Sequence, residues 1–209
     1  SDARQRARFA QMVVQNAEGM QAVLENLLEL TRMDVDARRQ RNVLLPSVAA
    51  EVCRQLREMA AARGVEVRVR DLPEVEVNAA AVELCLTNYV SNAIKYSDPA
   101  RAERWVEVSS RVEGAAGAGV DGELVLQVED NGLGVPEEKR GKLFTRFFRA
   151  HGELLTAEGT GLGLSIVRET LEALGGRAWA EFGAEGSRFL LALPCRRSAE
   201  RAAGDGAAG

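Results

Sequence analysis

Between residues 4 and 36, positions Val13, Asn16, Met20, Val23, Leu27 and Leu30 follow a 3-4-3-4-3 spacing, interrupted by no proline and one glycine, Gly19. That spacing predicts one long helix with the seam of a coiled coil or bundle. Phe9, Met12, Ala17, Leu24 and Leu28 widen the apolar stripe. A stripe this wide packs either on partner helices in a bundle or dimer, which we expect here, or on its own domain's core. Residues 34–41 are polar and basic and read as a linker. Residues 42–45 read as a short strand broken by Pro46. A helix capped by Ser47 then runs to Arg63, where Gly64 stops it. Val65, Val67 and Val69 alternate with charged residues, a half-buried strand. Asn78 caps a helix over 79–96 that ends at Ser97-Asp98-Pro99. Trp105, Val106 and Val108 begin another strand. The Gly/Ala run 114–119 is a flexible hairpin loop leading into the strand 123–129. A short helical stretch over 136–144, a helix over 162–174 and strands over 177–182 and 187–193 complete the pattern. From Arg196 onward the chain is Arg, Ala and Gly, a disordered tail. The order predicts an α+β fold: a two-layer α/β sandwich, helices on one face of a mixed sheet, behind a bundle-forming helix. The predicted divisions are 1–40, 41–195 and 196–209.

Composition narrows the function. The chain has 209 residues, with 27 Lys+Arg against 31 Asp+Glu, a net charge of −4. That balance argues against a general nucleic-acid binder. A hydrophobic content of 46% argues against disorder throughout. No apolar run approaches the roughly 18 residues of a membrane span, and no signal peptide is visible. Cys53, Cys85 and Cys195 are odd in number and far apart, which excludes a disulfide framework and suits a reducing compartment. The one histidine, His151, excludes a multi-His metal site.

Three segments carry chemistry. On the helix 79–96, Asn88, Asn92, Lys95 and Tyr96 fall within an arc of roughly 100°, opposite Val82, Leu86, Tyr89 and Ala93. Asparagines are poor helix formers. Their side-chain oxygens suit a hard cation such as Mg²⁺, and Lys95 suits a phosphate; a solvated polar face is the competing reading. At 129–136, Glu-Asp-Asn-Gly-Leu-Gly-Val-Pro follows a strand. Its glycines admit close approach and its carboxylate accepts from an amine or ribose, although alone it reads as a turn. At 159–165, Gly-Thr-Gly-Leu-Gly-Leu-Ser opens a helix and leaves backbone N–H groups for an anion. It is neither a Walker A loop nor the dinucleotide fingerprint. In this order the three suggest a nucleotide with Mg²⁺.

The segments NYVSNAIKYS (88–97), EDNGLGVP (129–136), LFTRFFRA (143–150) and GTGLGLSIV (159–167) resemble the N, G1, F and G2 boxes of sensor histidine kinases, in the family's order. Residues 173–194 are similar to the family's closing helix and hairpin, and NLLELTRMD (26–34) to the end of its second dimerisation helix. The resemblance implies the Bergerat ATP-binding fold, with ATP and Mg²⁺ as cofactors. It implies Asn92 as the Mg²⁺ ligand, supported by Asn88, with Lys95 on phosphate and Tyr96 stacked on adenine. Asp130 is implied to accept the adenine amine, with Gly132 and Gly134 allowing approach to the base. The resemblance implies Arg146, and with it Arg149, as basic residues near the γ-phosphate. The resemblance implies Gly159, Thr160, Gly161, Leu162, Gly163 and Leu164 as the hinge and phosphate cradle of a lid over 138–160. On the same resemblance, Phe144, Phe147 and Phe148 are expected to anchor that lid apolarly rather than touch nucleotide.

The family phosphorylates a histidine on the first dimerisation helix, and no histidine lies between Ser1 and Ala150. We therefore expect a fragment: half a dimerisation hairpin plus the catalytic domain, unable to phosphorylate itself. The acceptor would lie on a segment absent here, relaying to a response-regulator receiver domain. The parent would be a homodimer, and this portion cytoplasmic, without membrane or nucleic-acid contact. Hydrolytic relatives of the gyrase and chaperone type carry a glutamate where this chain has Asn88, which disfavours an ATPase. A serine kinase of the anti-sigma type is the other alternative, disfavoured by the long N-terminal helix. A vestigial nucleotide site is disfavoured by the intact boxes.

Overall fold

The computed structural model describes residues 42–114, 122–150, 160–183 and 186–195. The predicted N-terminal helix and linker, the tail and His151 lie outside the described residues, as does most of the hairpin loop.

Strand β1 (Asn42–Leu44) runs straight into helix α1 (Leu45–Arg63). Leu44 takes the N-cap position and no side chain caps the helix. Ser47 is therefore inside the helix rather than its cap. Pro46 sits in the first turn of the helix instead of separating strand from helix, because a first-turn residue has no intrahelical use for the N–H that proline lacks. Leu45, Val48, Ala49, Val52, Leu56 and Ala60 bury one stripe. Gly64, at φ 60°, ends the helix with the N–H of Val65 bonded to the Ala60 carbonyl at 2.9 Å.

Strand β2 (Glu66–Val69) follows, then β3 (Glu76–Asn78), which pairs antiparallel with β1 and was not foreseen. Helix α2 (Ala79–Lys95) starts as predicted: Asn78 Oδ1 accepts from the Ala81 N–H at 3.1 Å. Its buried stripe includes Val82, Leu86, Tyr89 and Ala93. Strands β4 (Trp105–Glu113) and β5 (Gly122–Asp130) form the predicted hairpin. Helix α3 spans only Glu137–Arg140, shorter than expected, and gives way to turns through 141–145. Helix α4 (Gly163–Ala173) and the hairpin of β6 (Arg177–Phe182) and β7 (Ser187–Cys195) close the fold.

The sheet order is β2-β4-β5-β7-β6, parallel between β2 and β4 and antiparallel elsewhere. Alternation sorts the sheet into two faces. Val106, Val108, Leu124, Leu126, Val128, Phe189 and Leu191 join the buried stripes of α1, α2 and α4 in one core. Burying each such side chain contributes about 1.5–3 kcal/mol. The opposite face carries Val125, Leu190 and Ala192, packed by Trp179. In cross-strand register, Val106, Asp130, Ser187 and Phe182 form the terminal row of the helix-bearing face. A carboxylate therefore stands at the sheet's end, facing the helices. Among the described residues, no helix is long and apolar enough to cross a membrane.

Candidate functional site

A cavity of about 290 Å³ lies between the polar face of α2, the end of the sheet and the loop before α4. Its lining includes Asn88, Asn92, Lys95, Tyr96, Asp130, Gly134, Arg149, Thr160, Gly161, Gly163 and Leu164. Three segments up to 76 residues apart in sequence thus meet around one space.

Helix α2 is fixed from behind. The Tyr89 hydroxyl, at the buried end of its ring, donates to the Leu190 carbonyl at 3.1 Å, and the ring lies 5.5 Å from that of Phe189. With that face seated on the sheet, helical geometry turns Asn88, Asn92 and Lys95 to the cavity. Asn88 Nδ2 donates to the Leu84 carbonyl at 2.8 Å, one turn back. Its Oδ1 sits against Gly163, where a Cβ would collide with it. Among the described residues the Asn92 amide has no hydrogen-bond partner. Arg63 Nη1 donates to the Lys95 carbonyl at 3.0 Å, holding the last turn of the helix.

Asp130 is 7% exposed. One carboxylate oxygen accepts from the Gly132 N–H at 2.8 Å. Burial pushes its pKa from 3.8 to about 6, opposed by the backbone N–H groups of Gly132 and Ser187 and assisted slightly by Glu129. The following turn packs on the end of α2: Leu133 N–H donates to the Tyr96 carbonyl at 3.0 Å, and a Cβ on Gly132 would lie 2.5 Å from that oxygen. Gly132 therefore shapes the turn from outside the cavity lining.

At the third wall, Gly161 has φ +73° and its Cβ position is filled by the Phe147 backbone, 2.7 Å away. Thr160 Oγ1 accepts from the Leu162 N–H at 3.3 Å. No side chain caps α4, so the first-turn N–H groups of an 11-residue helix meet the cavity's edge without a side-chain acceptor. Leu162 is 5% exposed, beneath the loop rather than on the cavity wall. Gly159 lies outside the described residues.

Arg146 departs from the expectation. Its guanidinium makes two 2.9 Å bonds to Glu169 on the exposed side of α4, and it does not line the cavity. The planar fork fits a carboxylate, and Glu169 is the nearer one. Phe144 and Phe148 pack on the core as expected, and Phe148 also lines the cavity. Phe147 instead is 70% exposed with φ 63°. Sequence reasoning missed Ser91, Val135, Leu143, Ser187 and Phe189 as lining residues. Ser91 was within reach of it, one residue before Asn92 on α2. Ser187 required the register Asp130↔Ser187.

The donor set is short of acids for a cation. Among the described residues no cluster of three His, Cys, Asp or Glu side chains is placed to hold a metal. An Asn oxygen with phosphate oxygens and water is a set that Mg²⁺ accepts, and the unpartnered Asn92 amide fits that role.

Comparison with known proteins gives one consistent result. Residues 77–197 match the family model described as histidine kinase-, DNA gyrase B- and HSP90-like ATPase. The chain is 31% identical over 202 residues to the adaptive-response sensory kinase SasA of Synechococcus sp. (strain CC9902), covering 90% of this chain and 48% of that protein. It is 34% identical over 166 residues to the sensor protein CutS of Streptomyces coelicolor, covering 78% and 38%. The chain thus spans less than half the length of these relatives. Among solved structures, the mycobacterial sensor histidine kinase MprB aligns with TM-score 0.60 and 26% identity, over 76% of this chain and 100% of that one. The catalytic domain of histidine kinase ThkA aligns with TM-score 0.60 and 25% identity, over 74% and 94%.

Proposed function

Because the chain belongs to the family of histidine kinase-, DNA gyrase B- and HSP90-like ATPases, we propose that residues 41–195 are the ATP-binding catalytic portion of a two-component sensor histidine kinase. The observation that carries this reading is the convergence of Asn92, Lys95, Asp130 and the uncapped start of α4 on one cavity. Asp130 accepts the exocyclic amine of adenine, beside Tyr96 and Gly134. Lys95, Arg149 and the N–H groups at the start of α4 receive the phosphates. Asn92 holds Mg²⁺ with Asn88 behind it; the ion, when bound, neutralises phosphate charge. Thr160, Gly161, Gly163 and Leu164 form the phosphate cradle, with Leu162 packed beneath it. Arg146 reaches the γ-phosphate only after leaving Glu169.

The chemistry asked of these residues is positioning and charge neutralisation. The bond from the γ-phosphorus to the bridging oxygen breaks, a phosphorus–nitrogen bond forms on a histidine presented by another segment, and ADP leaves. The phosphoryl group then passes to a receiver-domain aspartate, and the parent acts as a homodimer. Kinase is favoured over hydrolase because the position one turn before Asn92 holds an amide, Asn88, whose nitrogen is bonded to the Leu84 carbonyl. That side chain supplies no base for water.

The test is calorimetric titration of ADP with and without Mg²⁺. Wild type should bind ADP more tightly with Mg²⁺, and Asn92→Ala should lose that increment, about tenfold or more in affinity. An unchanged Mg²⁺ increment would remove Asn92 from the role.

A further inference from the structure

Asn131 stands where the chain leaves β5, immediately after Asp130, and is 6% exposed. Its side chain continues the sheet by other means. Oδ1 accepts from the Trp105 N–H at 2.9 Å, and Nδ2 donates to the Glu103 carbonyl at 2.9 Å. Its own N–H donates to the Trp105 carbonyl at 3.4 Å. Three bonds therefore fasten one residue to the entry of β4, which pairs with β5 from Val106↔Asp130 onward. Beyond this anchor the chain turns, so that the Gly132 N–H meets the Asp130 carboxylate and the Leu133 N–H meets Tyr96. Both Asn131 side-chain bonds go to main-chain groups, so the anchor does not depend on which residues occupy 103 and 105. Serine's single hydroxyl can donate and accept, but from one atom on a shorter side chain it does not span the two main-chain groups.

We propose that Asn131 is a positioning residue for base recognition: by fastening the end of β5 to the entry of β4 it aims the Asp130 carboxylate into the cavity. It thereby sets the preference for a base bearing an exocyclic amine over one bearing a carbonyl at that place. The proposal rests on the nucleotide reading of the cavity. A carboxylate held in one direction accepts from an amine and opposes a carbonyl oxygen, whereas one free to swing discriminates poorly.

The test compares ADP with inosine diphosphate, whose base carries a carbonyl where adenine carries the amine, by calorimetry on the full chain. Wild type should prefer ADP. Asn131→Ala should weaken ADP about tenfold or more while changing inosine diphosphate less than about threefold, so that the ratio collapses. A purely structural role would lower the thermal midpoint and leave the ratio of the two affinities at its wild-type value, and that result overturns the proposal. Asn131→Asp keeps the acceptor for Trp105 and loses the donor to Glu103. It should give an intermediate ratio, and it carries the test if the alanine variant does not fold; a wild-type ratio there is equally fatal. Wild type binding both nucleotides equally would overturn this proposal alone, whereas binding neither would overturn the nucleotide reading and this with it.

Discussion

Asp130 should make the empty protein less stable as pH rises, and removing its charge should reveal how much. Burial raises its pKa from 3.8 to about 6, so the folded state holds the proton more tightly than the unfolded chain. The sign follows: this stabilising contribution is complete below pH 3.8 and is lost as pH rises toward and through 6. Two pKa units correspond to about 3 kcal/mol, of which about 2 kcal/mol falls between pH 4.5 and 8. In Asp130→Asn the substituted amide does not titrate. Any fixed loss of bonding to the Gly132 and Ser187 N–H groups is the same at every pH. The unfolding free energy of Asp130→Asn minus that of wild type should therefore increase by about 2 kcal/mol from pH 4.5 to pH 8, measured by urea unfolding. Nucleotide affinity should move the other way, because an adenine amine needs the ionised carboxylate. Wild-type affinity for ADP should fall about tenfold from pH 8 to pH 5, with Asp130→Asn weak and flat throughout. A stability difference constant within about 0.5 kcal/mol over that range would refute the argument, since the carboxyl would then titrate as if exposed.

Two further substitutions separate fold from site. Asn78→Ala removes the N-cap of α2 and should lower stability by about 1 kcal/mol in urea unfolding, with ADP affinity unchanged because the cap lies at the far end of the helix. Gly163→Ala places a methyl group against Asn88 Oδ1 and should cost about 1–3 kcal/mol of stability. Adding Asn88→Ala should recover most of that loss, and additive losses in the double variant would contradict the contact.

The elements legible in the sequence were those with strong periodicity. Helix α2 showed because its apolar stripe repeats at helical spacing and an asparagine stands at its start. Strands β4 to β7 showed because alternation and glycine-rich turns agree. The three cavity walls showed because each is a local motif. What stayed hidden depends on partners distant in the chain. Strand β3 is three residues long and exists by pairing with β1, so no periodicity announces it. The neighbourhood of Asp130 and Ser187 follows from a pairing register between strands 57 residues apart. Arg146 was placed toward phosphate by its motif, yet the carboxylate of Glu169, 23 positions later, takes it. Helix α3 is shorter than the expected 136–144 because it stops at Arg140 and turns follow from Gly141.

The polar residues of the site divide by whether their hydrogen bonds are spent on the fold. Asn131 uses both ends of its amide on β4, Asn88 uses its nitrogen on Leu84, and Asp130 uses part of its carboxylate on the following turn. Asn92 uses none on the described residues. Its amide is half-buried and open to the cavity, and it sits in a helix interior, where asparagine is a poor residue. That propensity cost falls on a side chain that faces the cavity between a lysine and an uncapped helix end. Stability alone gives no reason for that choice, whereas a ligand bringing oxygen and charge to the same point does. Asn92 is therefore the residue whose replacement should leave the fold most nearly intact while removing the most function.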